Sequence, residues 1–78
     1  MTTQDAIEEF AITGEYIELC NVLKVMGWVS TGGMAKQLVA DGMVTVNGAT
    51  ELRKRYKTRP GDVVAFEDHV VRIVGGSV

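Results

Sequence analysis

The chain has 78 residues, of which 46% are hydrophobic and 23% are charged, and its formal net charge is −2. This length allows one domain with a small core, and the composition is that of an ordinary folded protein, which excludes intrinsic disorder. No apolar stretch approaches the roughly 18 residues of a membrane span, and the first residues lack the basic start and apolar run of a signal peptide. We therefore expect a cytoplasmic protein without a membrane partner.

The charges are distributed unevenly along the sequence. Residues 1–18 contain five acidic side chains and no basic one, whereas residues 19–78 contain all eight basic residues against five acidic ones, a net of +3. Five of the eight basic residues fall within residues 53–59. Such a local excess matters more for the choice of partner than the whole-chain sum. The acidic start is equally consistent with a merely solvated segment.

The first part of the chain predicts a short extended segment followed by a helix. The extended segment lies around residues 10–12 and ends at Thr13-Gly14. Over residues 17–26 the apolar residues recur with helical spacing, and Gly27 provides a helix stop. The apolar stripe of this helix consists of Leu19, Val22, Leu23 and Met26.

A second amphipathic helix is predicted next. Ser30 or Thr31 can cap its start, and Gly42 is the expected left-handed residue at its end. Its apolar face consists of Met34, Ala35, Leu38 and Val39, and its opposite face carries Gly33, Lys36, Gln37 and Ala40. The Gly32-Gly33 pair leaves two interpretations open: close approach of another backbone with a phosphate on the helix N-terminus, or relief of packing against a sheet.

After Gly42 the apolar period changes to two, which predicts strands. Val44 and Val46 lead into Asn47-Gly48, a strong hairpin signal because both residues tolerate positive φ. The return strand is expected near residues 49–52 and to run into the basic segment. A turn at residues 59–62 precedes a final hairpin of residues 63–66 and 70–74, and residues 75–78 are expected to fray.

These elements predict an α+β fold, in which two helices pack on a small antiparallel β-sheet. The predicted organisation is an N-terminal segment of residues 1–16, one domain of residues 17–74 and a tail of residues 75–78.

Patterns for catalysis and for metal binding are missing from the sequence. Cys20 is the one cysteine and falls in the apolar helical pattern, which favours core packing over a redox or nucleophilic role. His69 lies in a predicted turn, which indicates a surface residue and not a catalytic one. The carboxylates are scattered, and no pair of them has a spacing that suggests acid–base catalysis. Metal-ligand spacing and a phosphate-binding glycine loop are also missing. We therefore expect no enzymatic activity, no cofactor and no metal.

The basic run of residues 53–59 is the most informative feature of the sequence. Its cations lie on both faces of an extended strand or on a protruding loop, and part of the run must face solvent because buried charges need partners. The guanidinium group of arginine can bind phosphate oxygens through two hydrogen bonds, and Tyr56 offers a ring that can stack on an unpaired base. Two alternatives stay open: the run is ordinary solvated charge, or Tyr56 turns inward and packs beneath the sheet.

Residues 17–62 resemble the alpha-L RNA-binding domain, also called the S-four domain. The resemblance is carried, in order, by Leu19 and Leu23, Ala35-Lys36, Leu38-Val39, Asp41-Gly42, the run of residues 44–48, and residues 60–63. Residues 32–36 and 51–55 are similar to the stand-alone bacterial YbcJ-like subgroup. One position departs from the family pattern, because many alpha-L domains have an arginine where this chain has Gly32. Because of this departure, we expect the RNA affinity to depend more heavily on the basic run of residues 53–59.

The resemblance implies a non-catalytic module that binds structured RNA, such as ribosomal or transfer RNA, mainly through phosphate contacts. By position, it implies contacts from Thr31, Lys36, Gln37, Asn47, Arg53, Lys54, Arg55 and Lys57. Tyr56 and Arg59 complete the candidate surface from the basic run itself. A monomer is favoured. The alternative function is a protein-interaction adaptor that uses its sheet edge or its helix pair.

Overall fold

The computed structural model describes residues 7–76, which form two helices and seven strands. In chain order these are β1 (Glu8–Ile12), β2 (Ile17–Glu18), α1 (Leu19–Val25), α2 (Gly32–Ala40), β3 (Val44–Val46), β4 (Ala49–Thr50), β5 (Lys57–Thr58), β6 (Val63–Phe66) and β7 (His69–Gly75). Five strands form one sheet in the order β1-β7-β6-β3-β4, and β2 pairs with β5 in a separate sheet. In this part of the chain, no helix is long and apolar enough to cross a membrane.

The predicted α+β architecture is confirmed, but the main sheet is mixed instead of purely antiparallel. β3, β4, β6 and β7 pair antiparallel as expected. β1 lies parallel to β7, with Glu8 opposite Val71 and Ile12 opposite Gly75. Parallel neighbours need a long crossover connection, which the helices and the intervening strands supply here. The direction of β1 was not predictable because an alternating apolar pattern is the same for both strand directions.

The pairing of β1 with β7 joins the two ends of the described chain. Gly75 is the last residue of β7, and the N–H of Gly76 donates to the carbonyl of Ile12 at 2.7 Å. Gly75 and Gly76 are therefore paired with β1 and are not frayed as the sequence predicted. Ser77 and Val78 of the predicted tail, and residues 1–6 of the predicted N-terminal segment, lie outside the described residues.

The hydrophobic core combines residues from both helices and the five-stranded sheet. Cys20 is buried in this core, as its place in the helical pattern indicated. From α2, Ala35 and Val39 are fully buried, but Met34 is half exposed and Leu38 only partly buried. The predicted apolar face of α2 was therefore too wide, because a nine-residue helix contacts the core along one narrow stripe of residues four apart.

Candidate functional site

The start of α1 holds the basic segment in place. Ile17 and Glu18 pair with β5, so the helix begins at Leu19 and not at Ile17 as the sequence predicted. The Glu18 side chain makes no capping hydrogen bond. Instead, the N–H of Leu19 donates to the carbonyl of Tyr56 at 2.9 Å, and the N–H of Cys20 donates to the carbonyl of Lys54 at 3.1 Å. The basic segment therefore satisfies donors that a helix start leaves free.

Between β4 and β5 the basic segment is a loop. β4 ends at Thr50, so the return strand does not run into the basic residues as expected. A turn follows, in which the N–H of Tyr56 donates to the carbonyl of Arg53 at 3.2 Å. The backbone leaves the strand because its carbonyls pair with the start of α1 instead of with β3. The cations of this loop, of β5 and of the residue after β5 are all exposed, namely Arg53, Lys54, Arg55, Lys57 and Arg59.

Four of these exposed cations, all except Lys54, line one or both of two depressions that meet at Arg55. The first, here called the loop depression, has a volume of about 430 Å³ and is lined by Arg53, Arg55, Tyr56, Lys57 and Arg59. The second, here called the helix depression, has a volume of about 380 Å³ and is lined by Glu18, Cys20, Asn21, Lys24, Gly32, Lys36 and Arg55. The two depressions together are called the basic surface below. The first helix and the start of the second thus lie beside the basic loop, which the sequence left open.

Lys24 is a member of this surface that the sequence analysis did not select. It lines the helix depression together with Lys36 of the second helix. The signal in the sequence was the three-residue spacing of Glu18, Asn21 and Lys24, which places them on one side of a helix. That spacing does not reveal which neighbour the side faces, so only the tertiary structure shows Lys24 beside the other cations.

The glycines that begin α2 do not relieve packing against the sheet. A Cβ placed on Gly32 would have the Lys24 Cδ atom as its nearest neighbour at 3.8 Å, and one on Gly33 would lie 3.9 Å from the Thr31 hydroxyl. Both distances are ordinary van der Waals contacts, so a side chain would fit at either position. The packing interpretation is therefore wrong. The interpretation as a place for close backbone approach stays a prediction.

Arg53 is held by a carboxylate and by an aromatic ring. Its Nε and one terminal nitrogen donate to the two carboxylate oxygens of Glu51 at 2.8 and 3.1 Å, and its backbone N–H donates to Glu51 at 3.0 Å. Its guanidinium carbon lies 5.0 Å from the centre of the Tyr56 ring. Hydrogen bonding from Arg53 lowers the pKa of Glu51, and the same pair raises the pKa of Arg53. Glu51 is therefore ionised at neutral pH and offsets the charge of Arg53.

Tyr56 combines the two orientations that the sequence left open. Its ring is partly buried and packs against the core, while Arg53 lies over it from the solvent side. The ring therefore supports an arginine, and a direct contact of Tyr56 with RNA stays a prediction.

The remaining loop cations differ in how much of their charge is offset. The Nε of Arg55 lies 3.3 Å from Glu18, and the Lys57 ammonium lies 5.1 Å from the centre of the Tyr16 ring. Three ion pairs occur among residues 7–76, and none of them involves Lys24, Lys36, Lys54 or Arg59. Those four side chains therefore present charge that no carboxylate of the described residues offsets within hydrogen-bond range. In this same part of the chain, no three His, Cys, Asp or Glu side chains are placed to hold a metal ion.

Two predicted contact residues of α2 have side chains that already bond within the helix. The Thr31 hydroxyl accepts a hydrogen bond from the Met34 N–H at 3.1 Å, so Thr31, and not Ser30, caps the helix. The Gln37 amide nitrogen donates to the Asp41 carboxylate at 2.9 Å. Both side chains are exposed, and contact of either with a ligand stays a prediction.

Asn47 has both ends of its amide bound to the protein. Its nitrogen donates to the Asp62 carboxylate at 3.0 Å, and its oxygen accepts from the N–H of Val63 at 2.9 Å. Its backbone has φ of 55°, as the hairpin signal required. Asn47 therefore connects the β3–β4 turn to the start of β6, and its predicted RNA contact stays a prediction.

Comparison with protein families assigns the fold. The family model described as the S4 domain matches residues 10–74. The chain belongs to the S4 domain family. The resemblance to YbcJ-like proteins is confirmed by YbcJ of Escherichia coli (strain K12), which is 46% identical over 59 residues, covering 76% of this chain and 84% of YbcJ. The small ribosomal subunit protein uS4 of Pseudomonas putida (strain GB-1) is 38% identical over 71 residues, covering 83% of this chain and 34% of uS4.

Solved structures support the same assignment. The solution structure of YbcJ from E. coli, described as revealing an alpha-L motif involved in RNA-binding, matches with a TM-score of 0.72 and 37% identity and covers 96% of both chains. Ribosomal protein S4e from Thermoplasma acidophilum matches with a TM-score of 0.59 and 20% identity, covering 77% of this chain and 32% of S4e, and shows the shared fold.

Proposed function

We propose that this chain is a non-catalytic module that binds structured RNA mainly through phosphate contacts. The observation that carries the proposal is the basic surface, where cations from both helices and from the anchored loop meet at Arg55. Arginine and lysine side chains are the usual ligands of phosphate oxygens, and release of counterions makes such contacts favourable. The description of the YbcJ structure as containing a motif involved in RNA-binding supports this assignment.

The RNA that fits best is a folded one, with ribosomal RNA first and transfer RNA second. The cations come from separate elements held in fixed positions, which suits recognition of RNA shape and backbone better than reading of base edges. The likeness to uS4, a protein of the small ribosomal subunit, supports ribosomal RNA. The binding unit is residues 17–74, with β1 as an added edge strand, and it acts as a monomer in the cytoplasm.

The cations that contact phosphates in this proposal are those of the basic surface other than Arg53, together with the neighbouring exposed Lys54; Arg53 is left out because two of its donors already bind Glu51. They are Lys24, Lys36, Lys54, Arg55, Lys57 and Arg59. Thr31, Gln37 and Asn47 act first by positioning the elements that carry these cations, through the hydrogen bonds described above.

Filter binding at several salt concentrations tests the proposal. The ligands are ribosomal RNA, transfer RNA and duplex DNA, and the variant replaces Arg53, Lys54 and Arg55 together by alanine. Log affinity of the wild type for RNA should fall with log salt by about 0.7–0.9 per phosphate contacted. The triple variant should bind more weakly, and its slope of log affinity against log salt should be smaller by the contribution of about two phosphate contacts.

Arg72→Ala is the matched control, because Arg72 is an exposed arginine of β7 that pairs with Glu9 and lines neither depression. It should bind RNA as the wild type does. If the triple variant also binds as the wild type does, the surface has been placed wrongly. If the wild type binds no RNA at low salt, the module proposal fails and the protein-interaction adaptor is favoured.

A further inference from the structure

Arg53 differs from the other loop cations because it combines two side-chain hydrogen bonds to one carboxylate with a contact to an aromatic ring. Two of its donors bind the Glu51 carboxylate, and its guanidinium rests on the Tyr56 ring. A phosphate that approached this edge of the guanidinium would meet a carboxylate of its own sign. The geometry is therefore poor for the phosphate contact that the family resemblance implies at this position.

The same contacts leave most of the Arg53 side chain open. It is 74% exposed, and its guanidinium carbon lies 5.0 Å from the centre of the Tyr56 ring. Guanidinium planes, like aromatic rings, stack on unpaired bases in RNA complexes. Arg53 lines the loop depression, whose other charged lining residues are Arg55, Lys57 and Arg59. A nucleotide could thus place its base on Arg53 and its phosphate toward these cations.

The plane is also held in position before any ligand arrives. The Tyr56 N–H donates to the Arg53 carbonyl, the Tyr56 carbonyl accepts from the N–H of Leu19, and the Arg53 backbone N–H donates to Glu51. Because side chain and backbone are both restrained, little conformational entropy is lost when a base stacks on the plane.

We propose that Glu51, Arg53 and Tyr56 form a stacked platform that accepts the base of one unpaired nucleotide, so that Arg53 contributes stacking and not a phosphate contact. This inference rests on the proposed RNA-binding function and deepens it. It assigns the module a preference for a bulged or looped nucleotide beside a helical stem. In it Arg53 touches the base, whereas Glu51 and Tyr56 are positioning residues.

Binding to two RNA hairpins with the same stem, each closed by the same non-nucleotide linker in place of a loop, tests the platform. One hairpin is fully paired, and the other has a single unpaired adenosine in its stem. The wild type should bind the bulged hairpin roughly fivefold or more tightly at equal salt, the effect expected of one stacked base. Arg53→Lys keeps the charge but removes the plane, so its affinity ratio for the two hairpins should fall to about one. Tyr56→Leu keeps an apolar side chain against the core but removes the aromatic support, and should lower the ratio in part.

The salt slope separates stacking from a phosphate contact. On the paired hairpin, Arg53→Ala should leave the slope of log affinity against log salt unchanged. Lys54→Ala is the matched control, since Lys54 is the neighbouring exposed cation without an ion pair among residues 7–76. It should lower the slope by about 0.7–0.9 and leave the ratio unchanged.

Three results would overturn the platform. The first is a wild type that binds both hairpins equally, and the second is an Arg53→Lys variant that still prefers the bulged hairpin. The third is an Arg53→Ala variant whose slope of log affinity against log salt falls as much as that of Lys54→Ala. Each of these would leave the proposed RNA binding standing. If neither hairpin nor ribosomal RNA binds at low salt, the proposed function fails and the platform fails with it.

Discussion

Single acidic side chains determine which cations of the basic surface are available to a ligand. Glu51 binds Arg53 through two hydrogen bonds, and Glu18 lies 3.3 Å from Arg55. Pairs between exposed side chains contribute little to folding stability, because solvent screens them. Their effect is on position and on local charge. The number of exposed cations therefore exceeds the number that offer their full charge to phosphates.

Asn47 provides a prediction at the scale of one residue. Replacing it by glycine keeps the left-handed backbone accessible and removes the two side-chain hydrogen bonds to Asp62 and Val63. We expect Asn47→Gly to lower the free energy of unfolding by about 1–3 kcal/mol, because each of the two bonds has a usual net value of about 0.5–1.5 kcal/mol, as measured by urea denaturation. RNA affinity of the folded variant should change less than in Lys54→Ala.

Asn47→Ala is the comparison for this prediction, because alanine removes the same bonds and also resists positive φ. It should be less stable than Asn47→Gly. A glycine variant with the stability of the wild type would show that the amide does not hold β3, β4 and β6 together.

At the scale of elements, neither helix is long enough to be stable by itself. α1 has seven residues and α2 has nine, below the length at which isolated helices persist in water. Each therefore depends on its ends and on the core. The basic loop supplies carbonyls to the start of α1, and Thr31 supplies a hydroxyl to the start of α2. The elements that present the cations are thus also the ones that stabilise each other.

The cap of α2 gives a prediction for an element. Thr31→Ala removes the acceptor for the Met34 N–H and should lower the free energy of unfolding by about 0.5–2 kcal/mol. Urea denaturation followed by circular dichroism measures this loss. Thr31→Ser keeps the hydroxyl and should retain most of the stability. Equal stability of the alanine and wild-type proteins would mean that the cap is not needed.

The whole molecule separates its charges across the main sheet. The strand order puts β1, with Glu8 and Glu9, at one edge and β4 at the opposite edge, and the basic loop follows β4. A protein with a net charge of −2 can therefore present a basic end to an anion while its acidic strand faces away. Such an asymmetric field orients the approach of a charged partner.

The pairing of the edge strand β1 with β7 gives a prediction for the whole molecule. Ile12 belongs to the hydrophobic core and lies within the residues that the S4 domain model matches, although it precedes the domain of residues 17–74 that the sequence predicted. Ile12→Ala should lower the free energy of unfolding by about 2–5 kcal/mol, a large part of the stability of a small domain. Urea denaturation measures the loss, and Ile12→Val should cost only about 0.5–1.5 kcal/mol. An alanine variant that unfolds at the wild-type urea concentration would show that β1 is not part of the cooperative unit.

Sequence alone determined the features that depend on residues close together in the chain. Helical spacing predicted α1 and α2, the Asn47-Gly48 pair predicted its hairpin, and the density of cations marked residues 53–59. Errors at this level were local. The helical spacing does not show that Ile17 and Glu18 pair with β5, and it does not show how narrow the buried stripe of α2 is.

The tertiary structure alone shows which distant residues act together. In it Lys24 lies beside Lys36 and Arg55, and β1 is parallel to β7. The guanidinium of Arg53 contacts both Glu51 and Tyr56. Periodicity assigns a residue to a face of its own element but carries no information about the element that the face meets. The partners of a charged side chain, and hence its free charge, follow from that packing.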